Sequence, residues 1–460
     1  MKNADPEFMG AFTINGRALE ITKLYKAGPA DRSRHRSHRI RRCLPVQFGQ
    51  RSVQEGILMP PNPSIPVKKV VASDGNANDW FGSAVAVAGD LAVIGAPNAT
   101  VDGVPSRGAA YVFKRIAGVW TQVQKLVASD GGFGELFGQA LAVFNGKTII
   151  VTAPFARVNG RTWVGAAYVF TLTGNQWVEK QKLTPSDATP LGTFGKCIAF
   201  DGSHALLGAG GSTTAAGTHV LGSVYAFNFV PSASGGSWNQ VQHITAPDPR
   251  DDSAFFGNAV ALSGNTVLVG AYASAIQGRV GQGAVYVYNL FGGTWRLGDK
   301  LTASDGDGRD NFGVSIGFQG KTAFIGAPGN AVNGNVSQGA VYRFDQAGSF
   351  WLEAQKLIAT DGGPTNLFGA SVSYSHPRVL IGAYAVNSYR GAAYLFAAAS
   401  NGTWTQRRKL TASDGQPSDV YGHQTALDGN VALVPAYSAD IGANSGQGAV
   451  YFYDLGPVGP

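Results

Sequence analysis

Charge is scarce in this chain, and much of it sits in one place. Asp, Glu, Lys and Arg make up 14% of its 460 residues. The net charge of +7 arises mostly in residues 1–66, where 11 Lys/Arg face 5 Asp/Glu; the remainder is close to neutral. A fold-wide basic stripe, the footprint of a nucleic-acid binder, is therefore missing. Long apolar runs are missing too: none reaches 18 residues, which argues against a membrane-spanning helix. There are only two cysteines, Cys43 and Cys197, too few and too far apart to imply a disulfide framework. No nucleophile elbow, phosphate loop or zinc signature occurs. Five of the seven histidines, His204, His219, His243, His376 and His423, lie beyond residue 66 and show no metal-ligand spacing.

What is abundant is glycine, 63 residues, together with Val, Tyr and Phe. That mixture predicts an all-β fold with many tight turns. Residues 1–66 stand apart. They lack period-2 alternation and carry "DRSRHRSHRIRR" (31–42) and "MPPNPSIP" (59–66). They are expected to be a disordered basic leader. "MKNADPEF" ahead of Met9 reads as an expression scar, and no secretory signal is seen. The Arg run reads as a solvated tail rather than a phosphate site.

The rest is one repeating pattern. Phe-Gly pairs begin at Phe81, Phe137, Phe194, Phe256, Phe312 and Phe368, and Tyr421-Gly422 is an altered seventh copy. The intervals are 56, 57, 62, 56, 56 and 53 residues, a period that signals stacked modules. Each copy parses into four strands, as in "FGSAVAVAG" (81–89), "LAVIGAP" (91–97), "GAAYVFKR" (108–115) and "WTQVQKLVASDG" (120–131). Small residues recur in the first strand: Ala84, Ala140, Cys197, Ala259, Ser315 and Ser371. They let the strands crowd around an axis, which predicts a seven-bladed β-propeller over residues 67–460. The sequence ends after a third strand, whereas "VKKVVASDG" (67–75) is an outer strand with no blade before it. The N-terminal strand is expected to complete the last blade.

"FGSAVAVAGDLAVIGAP" and "FGVSIGFQGKTAFIGAP" resemble the FG-GAP repeat, the blade unit of integrin α-subunit propellers. The resemblance covers 67–455 and looks closest to bacterial repeats with "KLTASDG" ahead of each Phe-Gly. Pro in the third motif letter gives way to Gly210, Tyr272, Tyr384 and Tyr437. Integrin-type blades carry a calcium loop between their first two strands. Here that connection is a bare turn, "AGD", "NGK" or "SGN", too short to supply several oxygen ligands. Calcium binding is not carried over, and no cofactor is expected. The resemblance implies an extracellular or cell-surface protein.

The recurring aspartates Asp74, Asp130, Asp187, Asp305, Asp361 and Asp414, with Asp248 in a less regular copy, read as turn punctuation in "SDG". The periodic Trp120, Trp177, Trp238, Trp295, Trp351 and Trp404 read as packing between blades. Asp305, Asp307 and Asp310 form the nearest approach to a cation cluster, with Asp248, Asp251 and Asp252 a second. Solvated turn carboxylates are the plainer reading. His423 and Lys196 share one position near the channel mouth. Binding is expected on the loops between strands two and three, which vary most. Trp80, Arg107, Phe133, Phe155, Arg157, Trp163, Arg279, Tyr389 and Arg390 are the candidate anchors. The functional expectation is a monomeric, non-enzymatic adhesion or binding scaffold for a protein or cell-surface ligand. A lectin-like propeller is the alternative, with an enzyme at the channel mouth third.

Overall fold

The computed structural model describes residues 66–187, 192–213, 219–220, 222–233, 235–247 and 255–457. The leader up to residue 65 and Asp248, Asp251 and Asp252 lie outside the described residues.

The first blade runs Ala84–Ala88, Leu91–Ala96, Ala109–Ile116 and Val119–Leu126, each strand antiparallel to the next. Five further sheets repeat that order. The innermost strands, Ala84–Ala88, Leu141–Phe144, Cys197–Phe200, Ala259–Ser263, Ile316–Gln319, Ser371–Ser375 and Ala426–Asp428, neighbour one another in a closed ring. The seventh blade ends at Ala449–Asp454, and its fourth strand is Val67–Val70. Val67 lies opposite Tyr453 and Val70 opposite Val450. Closure by a strand from the other end of the sequence is thus present, and it leaves the ring without an open seam.

The apolar core is divided into seven seams. Each main cluster joins two neighbouring blades; one, for example, packs Val93, Val112 and Leu126 of the first blade against Phe137, Val151, Tyr168 and Trp177 of the second. The Phe of each Phe-Gly pair anchors such a seam and is at most 1% exposed. Burial of this kind stabilises by about 2–3 kcal/mol per Phe. Each ring, Tyr421 included, meets the tyrosine of its own third strand edge-on, at 5.3–5.7 Å between centroids. The backbone must approach closely here. Phe137 N donates to Arg107 O at 3.1 Å, and a Cβ on the intervening Gly108 would collide with the Phe137 carbonyl.

"SDG" does more than turn the chain. The turn is present, with Gly131 N donating to Ala128 O at 3.3 Å. The side chains, however, cross to the next blade. Ser129 donates to Glu179 through both its N and its hydroxyl. Asp130 accepts from Tyr168 Oη at 2.8 Å and from Lys182 Nζ at 2.6 Å. The ion pair recurs at Asp74–Lys125, Asp305–Lys356, Asp361–Lys409 and Asp414–Lys69, at 2.6–2.7 Å. Burial alone would raise these carboxyls; the Lys and Tyr partners outweigh it and hold all five below the usual Asp value. At Asp187 the lysine is replaced by His243, which stacks on Tyr225 at 4.3 Å. The punctuation reading therefore captured the backbone and missed an inter-blade weld.

A second clamp sits on the outer strands. The Gln124 amide accepts from Trp177 N and donates to Trp177 O, both at 2.8 Å, imitating a rung of ladder across the seam. Gln181–Trp238, Gln242–Trp295 and Gln355–Trp404 repeat it. Each clamped tryptophan is at most 6% exposed, consistent with the packing role expected of the series.

Candidate functional site

The loops between strands two and three are more alike than their sequences suggest. Five contain the same small antiparallel bridge: Val101–Val104, Val158–Arg161, Ile276–Arg279, Val332–Asn335 and Ile441–Asn444. A turn with positive φ lies inside each, as at Asn159 (52°) and Gly160 (76°), the signature of a two-residue hairpin turn. The variety read from the sequence is therefore confined to a few side chains on a shared backbone.

Six of the loops are stitched to the segment leading into the next Phe-Gly. Leu136 N donates to Ser106 O, Thr193 N to Trp163 O, Asn311 N to Gly281 O, Leu367 N to Ser337 O, Val420 N to Tyr389 O and Trp80 N to Gly446 O, at 2.8–3.4 Å. Both partners adopt left-handed φ at every one of these seams. Such a conformation disfavours bulky side chains, yet Trp80, Trp163 and Tyr389 occupy it. Architecture fixes the backbone there, so the choice of an aromatic is a choice about the side chain.

The expected anchors divide into three groups. Arg107 is turned inward: it pairs with Asp102 at 2.7 Å, donates to Ala128 O, and its side chain is 13% exposed. Arg390 lies against Gly415 in the same slot. Gln282, Gln338 and Gln447 fill that slot in other blades, buried over the Gly of "DG". Arg279 is more open; it donates to Gly306 O at 2.9 Å and lies 3.8 Å from Asp307. Phe133 is 75% exposed, Trp163 is 38% exposed, and Arg157 is exposed. Phe155 and Trp163 meet edge-on at 5.8 Å.

Asp305, Asp307 and Asp310 do not converge. Asp305 belongs to the weld with Lys356 and Tyr342. Asp310 is buried and accepts from Asp307 N and Asn330 Nδ2, both at 2.8 Å. Among the described residues no three His, Cys, Asp or Glu side chains gather as ligands. Asp310 shares its place, two residues before the Phe, with Asp79, Glu135 and Asp419, all buried. Burial raises Asp79, Asp310 and Asp419 above the usual carboxyl value. This acid slot recurs in four copies and is a signal in the sequence beyond the anchors expected from it.

The residues that come together are at the channel mouth. The position after each Phe-Gly holds Ser83, Gln139, Lys196, Asn258, Val314, Ala370 and His423. His423 lies between two of the drifted motif tyrosines, 5.2 Å from Tyr384 and 5.2 Å from Tyr437, edge-on to both. Trp80 meets Tyr437 at 5.8 Å, and Tyr389 meets Tyr384 at 6.2 Å. Blades six, seven and one thus share a continuous aromatic sector that includes two expected anchors. Burial, and then the charge of Lys196, push the His423 imidazole down to about 4. Lys196 belongs to the third blade and His423 to the seventh, so this influence crosses the ring. Lys196 is solvent-exposed although desolvation lowers its pKa. Both properties fit a group standing in a narrow wet funnel. Burial drives the thiol of Cys197 beside it up to about 12, and it donates to Gly257 O across the seam.

No helix of the described residues is long and apolar enough to cross a membrane. No curated protein matches the chain. The FG-GAP repeat profile does, seven times, at residues 66–113, 120–170, 177–227, 238–288, 295–344, 351–396 and 404–453. Those segments coincide with the seven seams and blades described above, and the chain belongs to the FG-GAP repeat family.

Proposed function

We propose that the chain is a non-enzymatic binding scaffold that recognises a protein or cell-surface ligand through its loop face. The fold is consistent with a ligand-binding scaffold. The observation that carries the reading is the aromatic sector from Trp80 through Tyr437, His423 and Tyr384 to Tyr389. Trp and Tyr, with Arg, are enriched among the few residues that dominate protein recognition, and these sit at the channel mouth. FG-GAP repeats occur in extracellular proteins, and we place this chain outside the cell or on its surface, as a monomer.

A carbohydrate ligand is the second reading, favoured by the partly exposed Trp163 beside Phe155. One comparison separates the two. The immobilised full chain is screened with a random peptide phage library and with a glycan array. Peptides that bind the native chain and are lost on a Trp80→Ala/Tyr437→Ala variant support the protein reading. Glycan binding lost on Trp163→Ala replaces it with the carbohydrate one. Ligands indifferent to both variants defeat the loop-face assignment.

A further inference from the structure

The ring position after Phe-Gly is rich in donors. Ser83, Gln139, Lys196, Asn258 and His423 each bring one, and no blade brings an Asp or Glu. Lys196 is the single ammonium of that ring, in a domain otherwise close to neutral. Its ammonium has no ion pair or hydrogen bond among the described residues. Of the loop arginines, Arg107 and Arg390 are packed over "DG" turns and Arg279 is held by Gly306 O and Asp307, while Arg157 is exposed. An unpaired cation among polar ring positions draws an anion.

We propose that the channel mouth receives the carboxylate of an acidic residue carried by the protein ligand. Lys196 is its counter-ion, and the amide donors of the ring complete its hydrogen bonds. Tyr384, Tyr437 and Trp80 cover its apolar stem. This deepens the binding reading above and rests on it. One lysine matches a singly charged acid; a phosphate would call for a bidentate guanidinium or more than one cation. A peptide side chain fits better than an acidic sugar. Tyr384 is only 9% exposed, and His423 and Trp80 pack against Tyr437, so the mouth offers ring edges rather than an open face for a sugar to stack on.

The test uses peptides selected from the random library on the full chain. Each is compared with its Asp/Glu→Asn/Gln analogue by fluorescence anisotropy, on the native chain and on Lys196→Met. The melting temperature of Lys196→Met is checked against the native value. Amidation is expected to weaken binding by about tenfold or more on the native chain, the scale of a charged hydrogen bond. On Lys196→Met it should change binding by less than about twofold, and Lys196→Arg should retain the acid dependence. Equal weakening on both chains overturns the proposal, as do selected peptides without acids. If such peptides still lose binding on Trp80→Ala/Tyr437→Ala, the anion site fails while the binding scaffold stands. If only acidic oligosaccharides bind, and Lys196→Met abolishes that binding, the peptide occupant is refuted.

Discussion

Replacing Asp305 by Ala removes both of its inter-blade partners. Tyr342 is fully buried, and its hydroxyl donates to Asp305 at 2.6 Å. Leaving that donor unpaired costs about 1–3 kcal/mol. The Lys356 pair adds at most about 1 kcal/mol, because the Asp305 side chain is 53% exposed and water screens the charge. Asp305→Ala should therefore lower stability by about 2–3 kcal/mol. Tyr342→Phe removes the donor as well as the need for an acceptor, so its cost should be about 1 kcal/mol. The double variant should fall short of the sum by about 1 kcal/mol, since both single changes break one bond. Urea denaturation of the full chain, followed by near-ultraviolet circular dichroism, measures all three. An Asp that served only its own turn could not couple to a tyrosine 37 residues away. Additivity within about 0.5 kcal/mol would therefore refute the weld. The sign with pH is a second check. Burial would raise the Asp305 carboxyl, but Lys356 and Tyr342 hold it below its usual value. Its stabilisation is then fully present above the unfolded Asp value near 3.9 and is lost as pH falls through the lower folded value. The gap between native chain and Asp305→Ala should close in acid.

Three further outcomes are expected. Gly326→Ala drives a Cβ into the Gly369 carbonyl and Ser315 Oγ and should cost more than about 3 kcal/mol, whereas Gly334→Ala at an open hairpin tip (φ 86°) should cost only about 1–2 kcal/mol; similar urea midpoints for the two would contradict the seam geometry. Deleting residues 66–70 strips the outer strand from Ala449–Asp454 and should lower the melting temperature of the entire ring; an unchanged melting temperature would show that closure contributes nothing. Alkali should unfold the protein steeply. Burial, reinforced by the neighbouring aspartates, raises Tyr111, Tyr168, Tyr342 and Tyr451 far above 10, so their stabilisation is complete below pH ~10 and is lost above it at about 1.4 kcal/mol per pH unit for each. Phenolate absorbance at the ordinary pKa with an intact near-ultraviolet spectrum would count against this.

Much of the architecture was legible because the repeat states each geometric requirement seven times. Small first-strand residues, Phe-Gly pairs and the orphan outer strand at 67–70 predict blades, axis and closure, and the structure has all three. What one copy cannot reveal is a partner in the next copy. "SDG" looks like a turn from within its own segment. Its Ser and Asp are answered by Glu179, Lys182 and Tyr168 some 38–52 residues away. The loops misled in the opposite direction. Their letters differ, but backbone bonds with left-handed φ impose one path on five of them. Arg107 and Arg390 looked like free anchors for that reason, although their slot in other blades is filled by buried Gln282, Gln338 and Gln447.

Where the copies disagree, the disagreements touch one another. The seventh blade has Tyr421 for Phe, His423 in the ring, Gln424 for a small residue, Pro435 for Gly and Tyr437 for Pro. Pro435 has no N–H. The rung that Gly326 N makes to Ser315 O in the fifth blade therefore has no counterpart from Pro435 to Gln424. The inner strand accordingly begins only at Ala426 and runs three residues to Asp428. Tyr421 adds a hydroxyl that Phe lacks, and it meets Tyr453 Oη at 2.6 Å. Pro435 thus removes a rung at the inner end of the blade, and Tyr421 adds a polar contact to Tyr453. Closing a ring does not require these: no other blade has Tyr for the Phe, His at the ring position or Pro for the Gly. The inner end of the seventh blade is released from the ladder where Tyr384, His423, Tyr437 and Trp80 meet. A fold held together by identical seams thus gathers several of its irregular residues at one sector of the channel mouth, the sector on which the proposed binding reading rests.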